Sequence, residues 1–228
     1  GPATGKVRAL LEPFASALPK DVLSGYALPV SDGSERNRGN LRKAKKLLEQ
    51  AGWTIQDGIL KNAQGSPYKM DVLLKDGSAN NEAIINIYSD ALKRLGIAVN
   101  IESVDAAQYT ERTNNYDFDV THYWRALSLS PGNEQKLYWG ENGVTNPGTR
   151  NYMGMDVPAA EAMINQMLAA TDQADFVASV KALDRILTAG RYVIPMWDTI
   201  NSRLAHKSEL HFPQTLPMYG DWTGFVPD

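Results

Sequence analysis

Apolar positions along the chain recur at two spacings, and the switch between them marks out the elements. Residues 7–17 form a short amphipathic segment, and 18–40, interrupted by prolines and glycines, reads as an extended connection outside the core. Ala44, Leu47, Leu48 and Ala51 then recur three or four residues apart behind a basic run of Arg42, Lys43, Lys45 and Lys46. That is the spacing of one helix face. Asn40 is placed to cap this helix, Gly52 to end it, and the basic side to sit in water.

Residues 58–62 and 65–67 then suggest a hairpin with a polar turn, leading into a strand over 69–75. A second helix is expected from Asn80 or Asn81, with Ile84, Ile87, Tyr88, Ala91, Leu92 and Leu95 on its inward face and Gly96 at its end. A strand over 97–102 follows. Strand, helix, strand in this order predicts a parallel pair joined by a right-handed crossover. A helix over 106–114 and an alternating strand over 117–124 come next, then a long loop, 128–156, rich in Gly, Pro, Asn and aromatic residues. Loops of that length in a compact domain usually carry function. Two helices, 158–170 capped by Asp156 and a second from Asp172 or Ala174 to 189, precede a strand over 192–197 and a Pro-rich return to residue 228.

Composition narrows the function. With 228 residues, 43% hydrophobic and 21% charged, the chain can bury a sizeable core in an α/β or α+β fold. A net charge of -3 with scattered Lys and Arg gives no broad basic field, so nucleic acid is not an expected partner. No apolar run approaches the roughly 20 residues that span a bilayer, so no direct membrane insertion is expected either. The absence of cysteine removes disulfides and thiolate chemistry. The opening residues hold no charged segment followed by an apolar stretch, so a secretory signal is not expected in this sequence.

Chemistry is harder to find than recognition. There is no G-x-S-x-G elbow and no phosphate-cradling glycine motif, and His122, His206 and His211 are not spaced as metal ligands. No cofactor and no metal is expected. Asp117 and Asp119 flank Phe118 at strand spacing as a candidate carboxylate pair on one face, and a hydrolase would rest on them. What does concentrate is polar-aromatic character: Tyr123, Trp124, Arg125, Asn133, Gln135, Tyr138, Trp139, Arg150, Asn151 and Tyr152 all lie in or beside the long loop. Aromatic walls bury apolar parts of a ligand while amides and Arg fix polar or anionic groups. The reading is a binding site with Arg125 as anion clamp, Asn133 and Asn151 as amide partners, and Trp124, Tyr138, Trp139 and Tyr152 as walls. A third reading is an interaction domain that self-associates.

The order of several segments resembles the C-terminal region of the family 5 extracellular solute-binding proteins. They are residues 43–53 (KAKKLLEQAGW), 91–99 (ALKRLGIAV), 116–119 (YDFD), 156–168 and 192–195 (YVIP). The run 127–134 (LSLSPGNE) is similar to receptors of microcin C and peptide importers. The resemblance implies an α/β lobe of periplasmic-binding-protein type II, a mixed sheet flanked by helices, plus segments of the hinge and N-terminal lobe. It implies 1–38 as a hinge or N-terminal-lobe segment, 39–197 as the ligand-binding lobe and 198–228 as a return segment. It also implies a periplasmic receptor in a Gram-negative bacterium that binds a small peptide or peptide-like solute and passes it to the ABC permease membrane subunits, and no enzyme. Related receptors place an Asp where Leu127 stands, so capture of a free peptide amino terminus is expected to differ here.

Overall fold

The computed structural model describes residues 1–34, 36–124, 130–195, 205–209, 211 and 215. The chain divides into two units, Gly1–Tyr192 and Val193–Asp228. Among the described residues the second unit holds no helix or strand.

In the first unit, β3 (Lys69–Lys75), β4 (Ala98–Val104) and β5 (Val120–Thr121) make a parallel sheet in the order β4-β3-β5. β3 and β4 pair from Lys69↔Ala98 to Lys75↔Val104, and β5 joins β3 through Val72↔Val120 and Leu73↔Thr121. Val72, Leu73 and Leu74 are buried in succession, as expected of a central strand covered on both faces. α4 (Ala79–Lys93) carries the chain from β3 to β4, and α5 (Ala106–Asn114) carries it back across β3 to β5. Asp105 caps α5, its Oδ1 accepting from the amides of Ala107 and Gln108 at 2.8 and 3.0 Å. The inward face of α4 is rotated from the expected one: Ile85, Ser89 and Leu92 are buried, while Ile87 is 73% exposed.

An antiparallel hairpin, β1 (Thr54–Gln56) with β2 (Ile59–Lys61), stands apart from this sheet. Its tight turn is Asp57-Gly58, both at positive φ; the expected pairing of 58–62 with 65–67 is present beside it as an antiparallel bridge between Lys61 and Pro67. Asn62 organises a second, looser turn by accepting from the amides of Gln64 and Ser66. Leu60 packs with Leu92, Leu95 and Ile97, and against Leu41, Ala44 and Leu48 of α3 (Arg38–Gln50). Asn40 lies within α3 and donates to the Val30 carbonyl, so it does not cap the helix; Asn37 holds the cap position. Leu47, expected inward, is exposed. Gly96 is required where it stands, because its φ is +74° and a Cβ would sit 2.6 Å from the Leu60 amide nitrogen.

A separate core joins the two ends of the unit. α7 (Pro158–Ala169) and α8 (Gln173–Gly190) pack through Ala160, Met163 and Ile164 against Ala182, Leu183 and Ile186. α1 (Gly5–Leu11) and α2 (Lys20–Ser24) add Leu11, Leu18 and Val22. The stretch expected as an extended connection outside the core therefore contributes a helix and buried side chains, Pro19 starting the turn and Gly25, at φ +106°, stopping it. Asp172 caps α8 as its position suggests. Asp156 does not cap α7, which begins after Val157 with Pro158 in its first turn, where a missing N–H costs nothing. The strand expected from residue 192 is absent through 195, and Val193 and Ile194 are exposed.

Candidate ligand-binding site

The segment between β5 and α7, described from residue 130, is built and not open. It contains α6 (Glu134–Trp139) and a 3-10 turn, Glu141–Val144. One buried side chain holds it shut. Asn151, 1% exposed, donates both amide hydrogens, to the carbonyls of Gly140 and Met155 at 3.0 and 2.8 Å, and accepts from the Met155 amide at 2.9 Å. Gly143 lets this clasp close, since a Cβ there would overlap the Asn151 Cβ.

Beside the clasp, aromatic rings gather along β5, an edge strand of the sheet. Tyr152 stands at their centre, edge-to-face with Tyr116, Phe118 and Tyr123 at centroid distances of 6.3, 5.9 and 5.2 Å. Tyr123 in turn meets Tyr138 at 6.3 Å. Separations and tilts of this kind suit the ring quadrupoles. Arg150 crosses the outer end of the cluster, its guanidinium 5.8 Å from the Tyr138 ring centre and its Nη1 donating to the Tyr138 hydroxyl at 3.1 Å. That hydrogen bond raises the Arg150 pKa further, so the cation is permanent, while burial first and the Tyr138 hydroxyl second push the Tyr123 phenol up. Arg150 thus places a fixed positive charge at the rim of the ring cluster.

The neighbouring elements anchor this surface. Tyr109 of α5 donates its hydroxyl to the His122 carbonyl at 3.0 Å and meets Thr121 Oγ1 at the same distance. Asn81, in the first turn of α4, lies 3.2 Å from His122 Nδ1. Burial raises the Tyr109 phenol, which keeps that proton in place.

Of the residues expected to bind ligand, the structure brings Tyr138, Arg150 and Tyr152 together. Trp124 leaves the end of β5 78% exposed, and Asn133 is exposed ahead of α6. Trp139 turns towards the α7–α8 core, and Asn151, expected as an amide partner for ligand, spends its side chain on the loop itself. Arg125 and Leu127 lie outside the described residues. Tyr123, part of the same polar-aromatic concentration, joins Tyr138, Arg150 and Tyr152; Tyr116 and Phe118 were not among the expected site residues, and the signal for them is a pair of aromatics just ahead of a strand.

Asp117 and Asp119 are occupied locally. Asp117 receives Arg112 Nε at 2.9 Å, and Asp119 accepts the Asp71 amide at 2.8 Å where β5 joins the sheet. Among the described residues no group of three His, Asp or Glu could hold a metal ion, and no helix is long and apolar enough to cross a membrane. Two shallow hollows of about 550 and 270 Å³ lie along α1 and α8, away from the rings, and they gather no comparable aromatic set.

The first unit is thus a parallel α/β lobe with a tyrosine-rich cluster along one sheet edge. The model of the bacterial extracellular solute-binding proteins, family 5, matches residues 8–146, and the chain belongs to that family. It is 40% identical over 220 residues to a putative binding protein of Brucella melitensis, covering 96% of this chain and 36% of that protein. It is 36% identical over 222 residues to the probable peptide-binding protein YejA of Agrobacterium fabrum, again 96% of this chain and 36% of the relative. A 34% match over 214 residues, covering 93% of this chain and 34% of the relative, is the peptidoglycan-binding protein YepA of the same organism. The chain thus spans about a third of the length of the curated relatives it matches. Among solved structures, the oligopeptide-binding protein AppA of Bacillus subtilis with a nonapeptide has a TM-score of 0.60 at 23% identity, over 82% of this chain and 40% of that one. A periplasmic oligopeptide-binding protein of Thermotoga maritima with bound mannohexaose gives 0.64 at 20% identity, over 80% and 33%. The fold is that of a lobe of these type II binding proteins.

Proposed function

We propose that this chain forms the ligand-facing lobe of the substrate-binding component of an ABC importer, and that its solute is a peptide or a peptide-like molecule. The observation that carries the reading is the Tyr123–Tyr138–Tyr152 surface with Arg150 at its rim. Rings would cover apolar side chains of the solute, and the guanidinium would take a carboxylate in bidentate fashion. Relatives named for peptide and peptidoglycan binding support peptide chemistry, free or carried on a glycan fragment.

The surface is one wall. A second lobe would supply the other, closure would exclude water, and the loaded receptor would deliver to the permease on the periplasmic side of a Gram-negative envelope. Residues 39–197 are the lobe in this reading, with 1–38 and 198–228 as the segments that lead to its partner lobe. Trp124, Arg125 and Asn133 belong to the proposed contacts by their place in the sequence, next to Tyr123 and to the start of α6. No bond is made or broken: Asp117 and Asp119 are held in structural bonds, and the family is one of binding proteins.

The test is native mass spectrometry of the full-length protein purified without denaturation. A co-purified peptide-like mass is expected. A preparation that carries no solute and hydrolyses test peptides contradicts the reading.

A further inference from the structure

Tyr116 stands at the hinge of this surface in a conformation that its residue type disfavours. Its φ is +56°, in the left-handed region where a bulky side chain is an outlier and where glycine usually ends a helix. Strain of this kind persists only where the surroundings over-determine it. Here they do so from two sides.

On one side, Arg112 grips the next residue, its Nε on the Asp117 carboxylate at 2.9 Å and its Nη2 on the Asp117 carbonyl at 3.1 Å, while Nη1 reaches Glu102 at 2.7 Å. The Asp117 amide returns to the Arg112 carbonyl at 2.9 Å and closes the turn. On the other side, the Tyr116 hydroxyl donates to the Asn146 carbonyl at 3.2 Å and receives the Thr149 hydroxyl. The Gly148 amide adds a backbone bond to Asn114 at 2.9 Å. The strained residue thus ties the end of α5 to the segment that carries Arg150 and Tyr152, and its ring lies edge-to-face on Tyr152.

We infer that Tyr116 is a positioning residue: a latch that holds Tyr152 and Arg150 in register with Tyr123 and Tyr138, at the expense of a strained turn. It need not touch solute. Its effect runs through Tyr152, because a ring wall already in place spares the ligand the ordering of that loop. This role rests on the reading of the ring surface as the solute wall.

Two variants separate a latch from a simple stabilising contact. Tyr116→Phe keeps the ring and loses the hydroxyl bonds; Tyr116→Gly relieves the backbone and loses the whole latch. In the full-length protein, hydrogen exchange of residues 146–152 is expected to quicken roughly tenfold in Tyr116→Phe and further in Tyr116→Gly, the scale of one or two lost hydrogen bonds. With 3-fluorotyrosine incorporated and the Tyr152 resonance identified by Tyr152→Phe, that resonance is expected to shift in both variants. Unchanged exchange and an unmoved Tyr152 resonance overturn the latch. A mixed tripeptide pool read by native mass spectrometry then divides the two claims. If Tyr152→Ala abolishes capture and Tyr116→Phe leaves it untouched, the positioning role fails and the wall stands; if Tyr152→Ala captures as well as the unsubstituted protein, the wall itself fails.

Discussion

Arg150 and Tyr138 form a single polar-aromatic unit: the guanidinium lies over the ring at 5.8 Å and donates to that ring's own hydroxyl at 3.1 Å. The hydrogen bond and the ring contact together hold the guanidinium charge at the edge of the ring surface. Arg150→Ala in the full-length protein is expected to weaken binding of a solute that carries a carboxylate by about tenfold or more. Arg150→Lys should restore little, since an ammonium lacks the planar fork. Isothermal titration with a carboxylate peptide and its amide form checks both, and equal losses for the two forms would deny the anion role.

Asn151 answers to the fold. Removing its amide leaves the Gly140 and Met155 carbonyls and the Met155 amide without their partner in a buried place. Asn151→Ala is expected to cost about 3 kcal/mol, and Asn151→Asp more, because an acceptor would face two carbonyl oxygens. Denaturant unfolding measures this.

The register of α4 can be checked by a pair of substitutions. Ile85 is 6% exposed and packs with Val72 and Leu74, so Ile85→Ala should cost about 3 kcal/mol. Ile87→Ala should change stability by about 0.5 kcal/mol at most, as surface substitutions do. Equal costs at the two positions would mean that the helix faces the sheet differently.

Tyrosines give the pH dependence. Burial raises the phenols of Tyr88, Tyr109 and Tyr192 above the ordinary 10.0. The folded protein therefore holds these protons to higher pH than the unfolded chain does. Their contribution to stability is complete below about pH 10 and is lost as pH rises from there through the folded values. Phenolate absorbance should show a late-titrating group that merges with the rest on unfolding.

How much of this was legible follows from which forces set each element. The strand over 69–75, the helix over 106–114 and the Asp172 cap rest on local signals, a continuous apolar run and capping side chains, and the structure agrees with them. The phase of α4 was not legible, because Ile84, Ile85, Ile87 and Tyr88 offer two overlapping apolar faces and only packing against Val72 and Leu74 decides between them. The buried Leu18 and Val22 were missed for a similar reason: they pack against α7 and α8, more than a hundred residues away in sequence. In the site, polar-aromatic density picked out Tyr138, Arg150 and Tyr152, but density cannot tell a ring that faces solute from Asn151, whose amide is consumed by its own loop, or from Trp139, which serves the core.

The central claim is that the Tyr152 surface holds the solute. Its most direct test is equilibrium binding of a defined tripeptide series to the full-length protein beside Tyr152→Ala, with folding of both confirmed by thermal melting. The account expects measurable affinity that falls at least roughly tenfold in the variant, the loss of a large aromatic contact. Affinity that is unchanged in a folded Tyr152→Ala would place the solute elsewhere and contradict it.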